Sequence, residues 1–225
     1  MNTRMNTQTN FEQARLNMVE QQIRTWEVLD QDVLDLITTV HREDFMPDEY
    51  RQLALADVQI PLAHNQVTMT PKMEARLLQA VNIGKTDKVL EIGTGCAYLT
   101  ALLAKSGNNI VTVDIFPDFT HEAERKLARH NINNVRFDTG DAVDGWDKDT
   151  IYDVIVVTGS VPVLKPCFQE QLAVNGRLFI IAGKSPVMEV QLITRIGENE
   201  WSKEILFETD LPPLLGVYAA NPFSL

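Results

Sequence analysis

Two glycines and an acid stand close together where a short apolar stretch ends, in the sequence Glu91-Ile92-Gly93-Thr94-Gly95. Glycine lets the backbone turn tightly and lets a ligand approach it closely. The helix expected next would present unpaired N–H groups at its first turn to a carboxylate or a phosphate. This stretch therefore predicts a small-molecule site that accepts an anionic group.

Two further acids follow the glycine turn, each at the end of a later apolar stretch. Asp114 lies about 20 residues after Gly93, where an acid can accept hydrogen bonds from both ribose hydroxyls. Asp141 is placed to accept from the amino group of adenine, although a turn aspartate bonded to its own backbone is the alternative interpretation. Because ligands of open α/β sheets bind at the carboxyl ends of strands, these acids together with Glu91 predict a nucleoside site.

The glycine turn favours S-adenosylmethionine (AdoMet) over a nicotinamide dinucleotide. The third glycine of a dinucleotide fingerprint would fall at Tyr98, whose ring would obstruct a pyrophosphate. A carboxylate at Glu91 is unfavourable beside two phosphates, but it is favourable near the ammonium and sulfonium groups of AdoMet. We therefore predict AdoMet as the cofactor and keep the dinucleotide as the alternative.

The composition indicates which partners and which cellular compartment to expect. The chain carries 31 acidic and 20 basic residues, for a formal net charge of −11, which disfavours nucleic acid as a partner. Cys96 and Cys167 are too few for a disulfide framework, and the histidines lack metal-ligand spacing with them. Neither a signal-peptide stretch nor a membrane-spanning run is evident. We expect a cytoplasmic protein without a metal or a membrane segment, and its oligomeric state is left open.

Alternating strands and helices must hold these acids in place. Continuous apolar strands are typical of a parallel sheet that is covered on both faces. Beyond Gly183, two stretches at 187–195 and 201–208 flank a polar turn and predict an antiparallel hairpin at the sheet's edge. The predicted strands of the main sheet are 88–92, 109–114, 135–137, 153–158 and 177–181, and its predicted helices are 97–105 and 118–130.

The residues before the sheet predict a helical cap. Residues 1–10 are interpreted as a frayed tail with Asn10 capping a first helix, and Asp30 starts a second helix. The segment 41–64 lacks a sustained period and predicts irregular structure. Thr70-Pro71 predicts a third helix whose cap is the threonine hydroxyl. We expect one domain over 1–225, with a helical cap and substrate loop at 1–70 and a Rossmann-like α/β core at 71–225.

The glycine turn and several N-terminal motifs together resemble the protein-L-isoaspartate (D-aspartate) O-methyltransferases. The resemblance covers most of the chain, and its N-terminal motifs are specific to this family among methyltransferases. The matching segments are MVEQQI at 18–23, REDFMP at 42–47, NQVTMTP at 65–71, VLEIGTGCAY at 89–98, GD at 140–141, YDVI at 152–155, QL at 171–172 and GRL at 176–178.

This resemblance implies an AdoMet-dependent protein carboxyl O-methyltransferase with a Rossmann-like fold. Such enzymes methylate the misplaced carboxylate of isomerised aspartyl residues in damaged proteins, and the ester then collapses to a succinimide that reopens partly to normal aspartate. The substrate implied is a protein or peptide with an isoaspartyl residue. The implied cofactor contacts are Gln66, Thr68, Met69, Glu91, Gly93, Thr94, Gly95, Asp114, Ile115, Asp141 and Ala142.

The chain departs from the family pattern in the loop before the third helix. The family reads Gly-Gln-Thr-Ile-Ser-x-Pro and its serine is assigned to the active site, whereas this chain has Met69 there. A thioether cannot donate a hydrogen bond to a carboxylate. Because Thr70 is expected to cap the helix, Thr68 is the predicted catalytic replacement. Cys96-Ala97 stands where Ser-Gly is usual, and we expect alanine there to affect mainly the packing of helix on strand.

Three functions fit these residues. The first is an active isoaspartyl methyltransferase, and the second is an AdoMet enzyme of the same fold with another acceptor, which Met69 suggests. The third is an AdoMet-binding protein without catalysis. A carboxylate acceptor with a pKa of about 4 is already ionised at neutral pH and needs no general base. The lack of an evident base in the sequence therefore fits the first and the third functions alike.

Overall fold

The computed structural model describes residues 2–217, with side chains from residue 10 onward. Residues 218–225 of the predicted domain lie outside the described residues. The chain divides into two compact units, residues 1–82 and 83–225. The predicted organisation, one domain with a cap over 1–70 and a core over 71–225, stays a prediction.

Helices and short helical turns build the first unit. Helix α1 spans Asn2–Met18 and continues into a π-helical turn at Val19–Ile23 and a 3-10 turn at Arg24–Trp26. The predicted frayed tail capped at Asn10 is therefore wrong. Residues 1–26 contain neither proline nor glycine, so no residue in them interrupts the helix.

The next elements of the first unit agree with those predicted from the sequence. Helix α2 spans Gln31–Thr39, and its predicted start is confirmed because the Asp30 carboxylate accepts from the N–H groups of Asp32 and Val33. The predicted irregular segment is also confirmed as three separate 3-10 turns. These turns are Arg42–Asp44, Asp48–Leu53 and Ala63–Asn65.

Helix α3 spans Pro71–Val81 and begins where the sequence predicts. Its predicted side-chain cap is wrong, because Thr70 holds the N-cap position without a side-chain capping hydrogen bond. The backbone carbonyl of Thr70 instead accepts from the N–H groups of Met73 at 3.0 Å and Glu74 at 3.1 Å. The N–H of Met73 is thereby satisfied without the hydroxyl, and Pro71 has no N–H to offer.

One mixed sheet of seven strands is the central element of the described part of the second unit. Its strand order is β3-β2-β1-β4-β5-β6-β7, in which the first five strands along this order run parallel. The predicted hairpin is confirmed as β6 and β7, which pair antiparallel and extend the sheet beyond β5. The strands are β1 Lys88–Ile92, β2 Asn109–Asp114, β3 Val135–Thr139, β4 Tyr152–Val161, β5 Leu172–Lys184, β6 Val187–Gly197 and β7 Glu200–Thr209.

Helices α4 Tyr98–Ser106, α5 Pro117–Arg129 and α6 Pro166–Glu170 connect these strands. Strands β1 and β4 are adjacent in the sheet although β2 and β3 come between them in sequence. Their carboxyl ends therefore mark the switch point at which ligands of open α/β sheets bind. The apolar residues of β1 and β4 are buried, so the strand ends rest on a packed core.

Candidate functional site

Gly93 opens the turn after β1 and can only be glycine. Its φ is 97°, a left-handed value that side chains rarely adopt. A Cβ on Gly93 would also lie 2.1 Å from Oγ1 of Thr158 on β4. The Thr158 hydroxyl shares its proton between the carbonyls of Ile92 at 2.9 Å and Gly93 at 2.8 Å. Thr158 therefore holds the turn in shape, a role that no local sequence pattern indicated.

Asp114 ends β2 and ties its carboxylate to the same turn. Its Oδ2 accepts from the Gly95 N–H at 3.0 Å, and its Oδ1 accepts from the Phe116 N–H at 3.0 Å. A carboxylate offers about four acceptor positions, so Asp114 keeps acceptor capacity for a ligand hydroxyl. Burial raises the pKa of Asp114 above its ordinary value, and the N–H groups of Phe116, Gly95 and Thr94 partly offset this.

Glu91 is fully buried at the end of β1. Its Oε2 accepts from the hydroxyls of Thr100 and Thr112, each at 2.6 Å. The Thr112 and Thr94 hydroxyl oxygens are 2.7 Å apart. Since the one proton of Thr112 goes to Glu91, Thr94 must donate to Thr112. Glu91 is thus linked through a single hydroxyl to the glycine turn, and its proximity to the cationic groups of AdoMet stays a prediction.

Ala97 adopts a left-handed conformation, with φ 71° and ψ 9°, at the N-cap of α4. The family pattern that this sequence resembles has glycine at this position. The expectation that alanine here affects mainly packing is therefore wrong, because the backbone itself requires a conformation that costs a non-glycine residue about 1–2 kcal/mol. Gly95 is also left-handed, with φ 50°, so every second residue from Gly93 to Ala97 has a left-handed backbone.

Asp141 follows β3 and fits both interpretations that the sequence left open. Its Oδ1 accepts from the Val143 N–H at 3.0 Å, which is the turn interaction with its own backbone. Its Oδ2 faces Gly216, where a Cβ would lie 3.0 Å away. The side chain is exposed, so an acceptor position remains for a ligand. Ala142 beside it is buried, whereas Ile115 beside Asp114 is 39% exposed.

A C-terminal segment, residues 211–217, lies against the end of β4. Ser160 donates its N–H to the Pro212 carbonyl at 3.0 Å and accepts the Leu214 N–H at 2.9 Å. Its hydroxyl donates to the Leu211 carbonyl at 2.8 Å. The segment brings Gly216 to Asp141, and sequence reasoning missed it because a segment with adjacent prolines carries no periodic signal.

The loop 65–71 belongs to the first unit and contains the remaining predicted site residues. Asn65 has φ 56° where the family has glycine, and asparagine is among the residues that best tolerate this conformation. Gln66 donates to the His64 carbonyl at 3.0 Å. Thr68 and Met69 are both buried. The catalytic role of Thr68 or of the Met69 position stays a prediction.

Arg42 binds this loop through a fully buried guanidinium. Its Nη2 donates to Thr68 Oγ1 at 3.2 Å and to the Met69 carbonyl at 2.7 Å. Its Nη1 donates to the Ala54 carbonyl at 2.7 Å, and its Nε to Glu74 Oε2 at 2.9 Å. Burial raises the pKa of Glu74 to about 6, and the charge of Arg42 and its hydrogen bond oppose this rise. One side chain therefore fixes the loop to α3.

Within residues 2–217 no group of three or more His, Cys, Asp or Glu side chains could hold a metal ion. No helix in the same range is long and apolar enough to cross a membrane.

Comparisons with known proteins show the family to which the chain belongs. The sequence profile of the Protein-L-isoaspartate(D-aspartate) O-methyltransferase family matches residues 13–216. A protein-L-isoaspartate O-methyltransferase of Brucella anthropi is 31% identical over 92% of this chain and 95% of its own. One from Gloeobacter violaceus is 39% identical over 74% of this chain and 81% of its own.

Solved structures show the same fold. A Plasmodium falciparum chain, described as a protein-L-isoaspartate O-methyltransferase in complex with S-adenosyl-L-homocysteine, has a TM-score of 0.74 at 18% identity. It matches 91% of this chain and 97% of its own length. The predicted α/β methyltransferase fold and the predicted family are confirmed. This chain belongs to the protein-L-isoaspartate(D-aspartate) O-methyltransferases, a family of AdoMet-dependent enzymes.

Proposed function

We propose that this chain transfers the methyl group of AdoMet to the misplaced carboxylate of isoaspartyl residues in damaged proteins. The observation that carries the proposal is the family match, which runs over residues 13–216 and so includes both the glycine turn and the loop before α3. The substrate would be a peptide or protein segment with an isoaspartyl linkage.

The strand ends of the second unit suit the nucleoside part of AdoMet. Asp114 keeps acceptor capacity beyond its bonds to Gly95 and Phe116, and we assign this capacity to the ribose hydroxyls. Asp141 keeps Oδ2 for the adenine amino group. Ile115 and Ala142, next to these acids, would contact the nucleoside through apolar surface.

The glycine turn suits the amino-acid part of AdoMet. Gly93, Thr94 and Gly95 offer close backbone approach, and α4 directs its first N–H groups towards an anionic group. Glu91 adds a negative charge at the start of the turn, which would stabilise the ammonium and sulfonium groups. Bound AdoMet supplies the methyl group and leaves as S-adenosylhomocysteine. These proposed contacts would account for the acids Glu91 and Asp114 lying beside two left-handed glycines.

Catalysis by this chain would consist of binding and orientation. The acceptor carboxylate is ionised at neutral pH, since its ordinary pKa is about 4, so no residue has to remove a proton. Positioning alone can supply a large part of the rate enhancement of such a transfer. Gln66, Thr68 and Met69 of the loop 65–71 are proposed cofactor contacts, and the Met69 side chain offers no hydrogen bond to the acceptor carboxylate.

We further propose that the protein acts in the cytoplasm and on protein chains. The net charge of −11 would repel nucleic acid and acidic membrane surfaces. The chain has two cysteines, Cys96 and Cys167, which are too few for a disulfide framework and so suit a reducing compartment.

Methyl transfer from labelled AdoMet tests the proposed function. Two peptides that differ only in one isoaspartyl or aspartyl linkage would be incubated with the protein, and base-labile label would be counted. We expect label on the isoaspartyl peptide alone. Transfer to neither peptide, with calorimetry showing intact AdoMet binding, would indicate another acceptor or a non-catalytic protein.

A further inference from the structure

Two threonines flank Met69, and their hydroxyls have different surroundings. Thr68 Oγ1 accepts from Arg42 Nη2 at 3.2 Å and from the Ile60 N–H at 3.0 Å. Both of its acceptor positions are therefore in use. The Thr68 side chain is also buried. These two bonds fix the Thr68 oxygen in a structural role, in which it satisfies a buried guanidinium and a buried backbone N–H, and they leave only its proton uncommitted.

Thr70 has the opposite arrangement. Its Oγ1 is buried and has no hydrogen-bond partner within residues 2–217. The N-cap position would ordinarily occupy this oxygen, yet its side chain makes no capping bond. A buried hydroxyl without a partner is unfavourable in a folded protein, and native structures rarely retain one without a reason.

The backbone around Thr70 is held on both sides. Arg42 fixes the preceding carbonyl, that of Met69, at 2.7 Å. The carbonyl of Thr70 itself accepts from Met73 and Glu74 at the start of α3. The residue is only half-buried although its Oγ1 is not accessible. Rotation about χ1 would therefore move Oγ1 from its buried position while the backbone stays fixed.

We propose that the Thr70 hydroxyl donates a hydrogen bond to the acceptor carboxylate and so replaces the serine that the family carries at the Met69 position. Thr68 then anchors the loop to Arg42 and does not contact the acceptor. This inference rests on the proposed function. Thr68 and Thr70 are the only hydroxyl residues in the loop 65–71. If Thr68 has the structural role, Thr70 is the hydroxyl of this loop that is left to donate to the acceptor.

Hydrogen-bond energies are large enough for a Thr70 hydroxyl that rotates on a fixed backbone to affect the rate. A hydrogen bond to a charged acceptor is stronger than a neutral one. When the bond is expressed in the transition state, it changes the rate roughly ten- to a hundredfold. Thr70 loses no existing hydrogen bond when it turns towards the acceptor, so the breaking of a bond within the protein does not reduce this gain.

Three variants test the proposal: Thr70→Val, Thr70→Ser and Thr68→Val. Steady-state methylation of an isoaspartyl peptide would give kcat and KM, calorimetry would give AdoMet affinity, and heating would give Tm. We expect Thr70→Val to lower kcat/KM roughly ten- to a hundredfold with unchanged AdoMet affinity and an equal or higher Tm. Thr70→Ser should keep most of kcat/KM because it keeps the hydroxyl. Thr68→Val should lower Tm, because Arg42 and Ile60 lose their acceptor.

Natural kcat/KM in Thr70→Val would overturn the assignment, and so would a Thr70→Ser variant that is as slow as Thr70→Val. A Thr68→Val variant with natural Tm and lost activity would move the role to Thr68. Thr70→Ala provides the same test if the valine variant does not fold. An inactive natural protein would contradict the proposed function itself, whereas an active natural protein with an unaffected Thr70→Val would contradict the Thr70 assignment alone.

Discussion

Thr158 Oγ1 occupies the space that a side chain on Gly93 would need, 2.1 Å from the position of its Cβ. The same hydroxyl donates to the carbonyls of Ile92 and Gly93. The shape of the glycine turn is therefore set by a residue on β4, which lies beside β1 in the sheet. Any group added at Gly93 must displace Thr158 and alter the turn.

Gly93→Ala should abolish AdoMet binding, because the clash adds to the strain of a φ of 97°. Calorimetry with AdoMet measures the effect, and circular dichroism shows whether the variant is folded. Gly197→Ala, in the hairpin of β6 and β7, is the matched control and should bind normally. A folded Gly93→Ala protein with natural affinity would show that the turn does not form the cofactor site.

Asp114→Ala should weaken AdoMet binding by about 1–3 kcal/mol, the usual cost of leaving polar partners unpaired. It should also destabilise the fold, since the N–H groups of Gly95 and Phe116 lose their acceptor. Glu124→Ala, an exposed acid on α5, controls for the change in net charge. Unchanged AdoMet affinity in Asp114→Ala, or tighter binding of NAD than of AdoMet by the natural protein, would contradict the site assignment.

Local sequence patterns predicted the elements that hold the acids. Strands β1 and β2 begin and end at the predicted residues, because continuous apolar runs bounded by polar residues are typical of buried parallel strands. The acids Glu91, Asp114 and Asp141 accordingly lie at the ends of β1, β2 and β3. The glycine turn itself predicted AdoMet as the cofactor, and the family resemblance added the individual cofactor contacts and the acceptor class.

Interactions between distant residues could not be predicted in this way. The partners of Arg42 lie 12 to 32 residues away, and the carbonyls bound by Thr158 lie 65 and 66 residues away. The missing cap of α3 depends on a competing backbone carbonyl. The left-handed conformation of Ala97 depends on the complete turn, so the residue type alone gave no sign of it.

Ala97→Gly should leave the free energy of unfolding unchanged or raise it by up to about 1 kcal/mol. Glycine relieves the left-handed strain, but it also gains freedom in the unfolded chain. Ala101→Gly, an interior residue of the same helix, should instead cost about 1 kcal/mol. Urea unfolding compares the two variants, and equal destabilisation in both would contradict the strain at Ala97.

Glu74 should make stability depend on pH. Burial raises its pKa from 4.5 to about 6 in the folded protein, so folding favours the protonated acid. The stability that this group contributes is fully present below pH 4.5 and is lost as pH rises through about 6. The free energy of unfolding of the natural protein, relative to Glu74→Gln, should therefore fall by about 2 kcal/mol over this range.

Urea unfolding at several pH values measures this difference, with Glu124→Gln as the exposed control. A difference between the natural protein and Glu74→Gln that does not change with pH would contradict the raised pKa. A difference that increases with pH would mean that the Arg42 ion pair outweighs burial.

The central claim, that this chain is an AdoMet-dependent isoaspartyl methyltransferase, is tested most directly by mass spectrometry of a reacted isoaspartyl peptide. The peptide would be incubated with the natural protein and AdoMet, and its products would be fragmented and followed with time. We predict a methyl ester on the isoaspartyl carboxylate, followed by the succinimide and then by some normal aspartyl peptide. Absence of the ester while the protein demonstrably binds AdoMet would contradict the claim.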